Sequence, residues 1–302
     1  MESFSRGWSF LKQAWGMVFK DKDLIQPSIF ALIAGMIVSV VGLIPIIGAA
    51  LLLGDSSAGK VVMGVFGAIL VFVQFVVSYI FSAMTVYLIY GYLAEGDGRM
   101  DKAWGIVRRD FFDLLTLAAA STLVNLLRSA ARRNRRGGLA AGAARALTGA
   151  LEVLWTEASF LALPAMVIDD LNLKDALQRV LKITRENLLL IGISTVGVRA
   201  VTGLIGFLLS AAGLVIGGGL GYGLFLLSGG ETLGLVLGIA VGAIIFFAAV
   251  MMASVLGGYT GTAYHTCLYL WARETERARE AGSQASVTAP APLAAVLQNA
   301  AS

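Results

Sequence analysis

Long apolar runs separated by short polar segments dominate this chain. Leu24–Leu53 and Val61–Leu93 form a first pair, joined by the polar stretch Gly54–Lys60. Each exceeds the ~20 apolar residues that span a bilayer core as a helix, so the pair predicts a membrane hairpin. Pro27 suits the first turn of its helix, and Pro45 predicts a kink. Phe111–Leu127 and Leu147–Ile168 form a second pair, interrupted by Asp113, Asn125, Glu152 and Glu157. Leu188–Ile216 and Leu233–Trp271 form a third, with the glycine-rich Gly217–Gly230 as its turn. The pattern predicts an all-α polytopic transmembrane bundle.

Between the runs lie amphipathic segments. Phe4, Trp8, Leu11, Trp15 and Phe19 recur at helical spacing, with Arg6, Lys12, Lys20 and Lys22 beside them. Aromatic residues on one face and basic residues around it predict an interfacial helix in the headgroup region. Leu173, Leu177, Val180, Leu181 and Thr184 mark a second such segment, which Asn172 or Asp169 would cap. An amphipathic helix, a span, an outer turn and a returning span thus occur over 3–93 and again over 173–272, as a parallel repeat would require. Residues 1–280 read as one integral membrane domain. Residues 281–302, rich in Ala, Ser and Pro, read as a disordered tail.

Composition agrees. The 302 residues are 58% hydrophobic and 14% charged, well under the ~25% charge of soluble domains. No cleavable signal peptide is expected, because the first apolar run is far longer than an h-region of ~7–15 residues. The net charge of +4 resides at the ends of apolar segments, which is topogenic rather than nucleic-acid-binding. The densest cluster is Arg128–Arg136, RSAARRNRR, with no acidic residue between Asp113 and Glu152. Placing that knot on the cytoplasmic side makes the central stretch, 103–168, a hairpin that dips in from the cytoplasmic face. Two complete spans are the alternative. Both termini would then be cytoplasmic in a bacterial-type inner membrane, and Gly54–Lys60 and Gly217–Gly230 would face outward.

The stretch Phe160–Thr184 resembles a segment in an uncharacterised family of bacterial polytopic membrane proteins. There an apolar F-x-x-x-P run leads to an acidic residue and an A-L-x-R helix, matched here by Phe160, Pro164, Asp169, Ala176, Leu177 and Arg179. The surroundings of Phe4, Ser5 and Trp8, and Ala103, are also similar, and the layout covers most of residues 1–275. A looser similarity links the chain to the membrane domain of some glycerophosphodiester phosphodiesterases, whose soluble catalytic domain has no counterpart here. The resemblance implies topology and brings no activity with it.

Individual motifs reduce to packing. Gly54–Lys60 spells G-x-x-x-x-G-K, yet Val61 stands where a phosphate loop needs Ser or Thr, and no strand precedes it. Gly213, Gly217 and Gly221, with Gly234, Gly238 and Gly242, repeat at four-residue spacing, which lets helix backbones approach closely in lipid. Gly257 and Gly261 continue the pattern. Whether these faces meet within one chain or between two chains stays open. His265 and Cys267 are too close in sequence to share a helix face, so neither a metal site nor a catalytic pair is expected, nor any cofactor.

The intramembrane ionisable residues Asp113, Glu152, Glu157 and Arg199 are the strongest functional candidates. Arg199 falls ~16 Å into its span, where a carboxylate partner is needed; Glu157 is the first choice and Glu152 the second. Arg128, Arg132, Arg133, Arg135 and Arg136 would attract anionic lipid headgroups. These features predict a non-enzymatic membrane component that binds lipid, a partner membrane protein or a second copy of itself. The alternative is a transporter or channel for a small solute. A lipid-modifying enzyme using Glu152 and Glu157 as acid and base is disfavoured, because residues five apart diverge by ~140° on a helix.

Overall fold

The computed structural model describes residues 2–54, 56–133, 139–229, 231–281, 287 and 289–297. Among the described residues the chain is helical throughout. Its helices are α1 (Glu2–Lys20), α2 (Gln26–Leu53), α3 (Ser57–Glu95), α4 (Met100–Arg109), α5 (Phe111–Arg133), α6 (Leu139–Asp169), α7 (Leu173–Leu227), α8 (Thr232–Glu280) and α9 (Ala291–Leu297). Six of them, α2, α3, α5, α6, α7 and α8, contain segments long and apolar enough to cross a membrane. Val40, Ile44, Leu52, Phe207, Ile239 and Phe247 are exposed on them. Large apolar side chains spread over a surface suit lipid rather than water. The chain is a multi-pass membrane protein.

The helices divide into two compact units. The larger holds Asp21–Leu188 and His265–Val287, the smaller Met1–Lys20, Leu189–Tyr264 and Thr288–Ser302.

In the larger unit α2 and α3 form a hairpin. Its turn is tighter than the sequence predicts, because helix resumes at Ser57. Gly54 takes φ 54° and the Ser56 side chain caps the Gly59 N–H at 3.0 Å. A Cβ on Gly59 would stand 2.7 Å from the Gly54 carbonyl oxygen, so the G-x-x-x-x-G-K stretch is a helix start. Gln74, apolar-flanked within α3, is satisfied inside the hairpin: its Nε2 donates to Gly35 O at 2.8 Å and Ser39 Oγ at 2.7 Å. Gly96, at φ 80°, ends α3 by returning its N–H to Tyr92 O at 2.9 Å. Asp21 then accepts the Gly98 N–H at 2.7 Å, tying the entry of α2 to the exit of α3. This end is the base of the unit. Arg109 closes it by pairing with Asp110 at 2.6 Å and Asp170 at 3.1 Å, so α5 begins and α6 ends there.

From the base α5 runs away in one piece, and α6 returns in one piece. Both central helices are thus long and apolar enough to cross a membrane, as the alternative of two complete spans requires. The 23 residues of α5 rise about 34 Å, as much as a bilayer core. Arg128 lies on the side of Ser121 away from Arg109, about 10 Å farther along α5. Side-chain pairs along the way fix the antiparallel register: Tyr79 and Trp155 both meet Ser121, and Glu152 meets Arg128. Residues 134–138, with Arg135 and Arg136, lie outside the described residues, as do the side chains of Arg132 and Arg133.

In the smaller unit α7 and α8 pack through their glycines. A Cβ on Gly217 would stand 2.5 Å from the Gly242 carbonyl oxygen, and one on Gly242 2.8 Å from that of Gly217. Gly221 and Gly238 meet in the same way, and Gly213 lies against Ala249. These contacts are within one chain. They also explain why Gly217–Gly223 is helix and not the outer turn that its composition predicts: α7 continues to Leu227, and the turn is confined to residues around Ser228 and Gly229. At its other end α7 merges the second amphipathic segment and the span into one helix of 55 residues. The first copy of the presumed repeat breaks at the same joint, where the Asp21 side chain accepts the Asp23 N–H at 3.0 Å.

Helix α1 is docked rather than simply laid on the interface. Phe10, Leu11 and Ala14 are buried, Phe10 stacks edge-on against Tyr264, and Tyr259 OH donates to Ala14 O at 3.0 Å. Trp15 Nε1 donates to Thr260 Oγ1 at 3.1 Å, while Trp8 and Phe19 stay exposed. The predicted aromatic stripe is thus split between protein and surroundings. The tail also carries structure: α9 packs on α1 with Leu293 fully buried. An Ala- and Pro-rich sequence hides this, because one Leu suffices to dock so short a helix.

Candidate functional site

Three helices of the larger unit enclose a cavity of about 260 Å³. Each presents one face to it at helical spacing. Phe75, Ser78, Tyr79 and Ser82 come from α3; Ser121, Val124 and Asn125 from α5; Glu152, Trp155, Thr156 and Ser159 from α6. Ser121 is the meeting point. Its Oγ accepts from Trp155 Nε1 at 2.9 Å and shares a hydrogen bond with Tyr79 OH at 2.7 Å. Thr156 and Ser159 spend their hydroxyl protons on carbonyls of their own helix, at 2.8 and 3.0 Å. The Arg128–Glu152 ion pair stands at the end of the cavity farthest from the base, with side chains 32% and 29% exposed. Toward the base the cavity is closed: Leu161, Ala162, Leu163, Ala165, Met166 and Val167 of α6 are at most 3% exposed.

Below that plug lies a network of charges. Asp169 accepts from Tyr269 OH at 2.5 Å and from Arg273 Nη1 at 2.8 Å, and Arg179 Nε stands 3.5 Å away. Arg179 also pairs with Glu276 at 3.0 Å, and Lys182 reaches the same carboxylate. Arg273 lies over the Tyr90 ring at 5.8 Å. The cluster joins the end of α6, the start of α7 and the end of α8. Burial lowers the Arg179 pKa, but Tyr269, Glu276 and Asp169 outweigh it and leave the group raised. Asn172, not Asp169, caps α7, accepting the Asp175 N–H at 3.0 Å.

The sequence-derived candidates fall on different helices. Glu152 lines the cavity and pairs with Arg128, which was assigned to lipid contact. Glu157 faces His265, with Oε2 3.4 Å from Nε2, and Phe160 stacks on that imidazole with centroids 4.9 Å apart. Asp113 sits in the first turn of α5 at the base, where the helix dipole favours a carboxylate, and so is not deep in the apolar run. Arg199 is exposed on α7 in the smaller unit. Cys267 is fully buried. Sequence reasoning missed Tyr79, Ser121, Trp155 and Ser159. The available signal was clearest in α6, where Glu152, Trp155, Thr156 and Ser159 recur at i, i+3, i+4 and i+7, and was only partial in α3 and α5.

No protein-family model matches this chain, and no curated protein matches it.

Proposed function

We propose that this is a non-enzymatic component of a bacterial-type inner membrane that binds a lipid in the α3–α5–α6 cavity. The supporting observation is the shape of the polar interior. A conduit needs polar groups continuous between the two faces, whereas here hydroxyls and an indole end against the tightly buried run Leu161–Val167. A blind cavity flanked by lipid-facing helices suits an occupant that arrives from the membrane. Glu152 and Glu157 engage different partners, Arg128 and His265, on diverging faces of α6, which speaks against a paired acid and base. The base, rich in cations from Lys22, Arg99, Lys102, Arg108, Arg109, Lys174, Arg179 and Lys182, is the cytoplasmic face in this reading.

Transport of a small solute is the second reading. The Glu157–His265 pair favours it, because a half-buried carboxylate facing a buried imidazole is an arrangement that can relay a proton. Native mass spectrometry of the full chain, purified in mild detergent, distinguishes the two. A retained lipid, lost when Ser78→Phe fills the cavity, is expected. No retained lipid, together with solute flux in proteoliposomes, would replace binding by transport.

A further inference from the structure

We propose that the cavity selects a zwitterionic phospholipid with a primary amine, its phosphate on Arg128 and its ammonium on Glu152. The inference rests on the lipid-binding reading above. The first support is the order of polarity along the cavity. Descending α6, the lining passes from charged Glu152 through hydrogen-bonding Trp155, Thr156 and Ser159 to apolar Phe160 and Leu163. That descent covers about 16 Å at the helical rise. On α5 charged Arg128 is followed toward the base by polar Asn125 and Ser121. Charge, then neutral polar groups, then hydrocarbon, the order along α6, is the sequence of groups in a phospholipid, from headgroup through glycerol esters to acyl chain. A uniformly polar solute would meet the apolar end without partners for its own groups.

The second support is the charge at the mouth. Arg128 and Glu152 neutralise each other, and both side chains remain about a third exposed, so an arriving head can reach either. An anionic head would have to take Arg128 from Glu152 and leave the carboxylate without its cation, which is costly in poorly solvating surroundings. A zwitterion exchanges one ion pair for two. Arginine suits the phosphate because its guanidinium can bind two oxygens at once. A primary ammonium can donate hydrogen bonds to Glu152, whereas a quaternary ammonium has none to give.

The test uses the full chain in mild detergent, offered phosphatidylethanolamine, phosphatidylglycerol, phosphatidylcholine or free phosphoethanolamine at equal concentration, with retention read by native mass spectrometry. Phosphatidylethanolamine should be retained about tenfold over the other two lipids, the gain of one charge-assisted hydrogen bond. Free phosphoethanolamine should not be retained, since it leaves the apolar end empty. Glu152→Gln, which keeps size and shape, should reduce phosphatidylethanolamine to the level of phosphatidylcholine. Equal or better retention of phosphatidylglycerol, or an unchanged preference in Glu152→Gln, overturns the headgroup assignment and leaves lipid binding standing. Equal retention of free phosphoethanolamine overturns the lipid as the ligand. Unchanged lipid retention in Ser78→Phe places the lipid outside the cavity and overturns the reading beneath.

Discussion

Replacing Asp169 with Asn should cost about 3 kcal/mol, more than any other single polar change at the base. The amide keeps the size of the carboxylate and removes its charge. Arg273, only 8% exposed, then loses the partner that its Nη1 meets at 2.8 Å. A buried charge left alone costs ~3–5 kcal/mol. The lower end applies, because the guanidinium keeps the Tyr90 ring and a 3.6 Å contact with Glu274. Tyr269→Phe removes one hydrogen bond to the same carboxylate and should cost about 1.5 kcal/mol. The assay is a double-mutant cycle on thermal stability in detergent, combining Asp169→Asn with Arg273→Met, which retains an aliphatic stem. Removing both partners leaves no orphan charge, so the double variant should cost less than the sum by more than 1 kcal/mol. Asp170→Asn is the control. Its carboxylate is 67% exposed, and its φ of 56° is one that Asn adopts readily, so stability should hardly change. Additive effects in the cycle would refute the network as an energetic unit.

Gly238→Ala should destabilise by about 1–3 kcal/mol, because the new methyl meets the Gly221 backbone, while Gly219→Ala on the same pair of helices meets nothing within 4 Å and should be neutral or stabilising; equal effects would remove the glycine contact. In a Cys267→Ala background, Cys at Ala130 should react with a membrane-impermeant maleimide from the same side as Cys at Ser56 and from the side opposite Cys at Asp101. Reaction of Ala130→Cys from the Asp101 side would restore the dipping hairpin.

The helical class and the six apolar stretches were legible because burial in lipid needs only length and hydropathy, which are local properties of sequence. Helix ends were less so. Gly217–Gly223 carries the composition of a turn, yet it is helical because Gly238 and Gly242 lie against it, partners 17 residues from Gly221 and 25 from Gly217. Ser57–Lys60 was assigned to a loop because its polar residues hide a Ser56 cap. The candidate site was half legible. Glu152 stood out as a charge in an apolar run, but Tyr79, Ser121 and Trp155 are individually ordinary residues. Their meaning appears only when α3, α5 and α6 bring their polar faces to one cavity.

The basic knot illustrates a contest between two physical rules. Read alone, RSAARRNRR belongs on the cytoplasmic side, which forces the stretch before it to bend back. A helix from Phe111 to Arg133 cannot bend back without breaking its hydrogen bonds, and breaking them in hydrocarbon leaves each freed group unsatisfied. Backbone continuity carries Arg128 toward the end of α5 opposite Arg109. Glu152 then acquires its role: on the returning helix it stands level with Arg128, and the pair marks the mouth of the cavity at the face opposite the base.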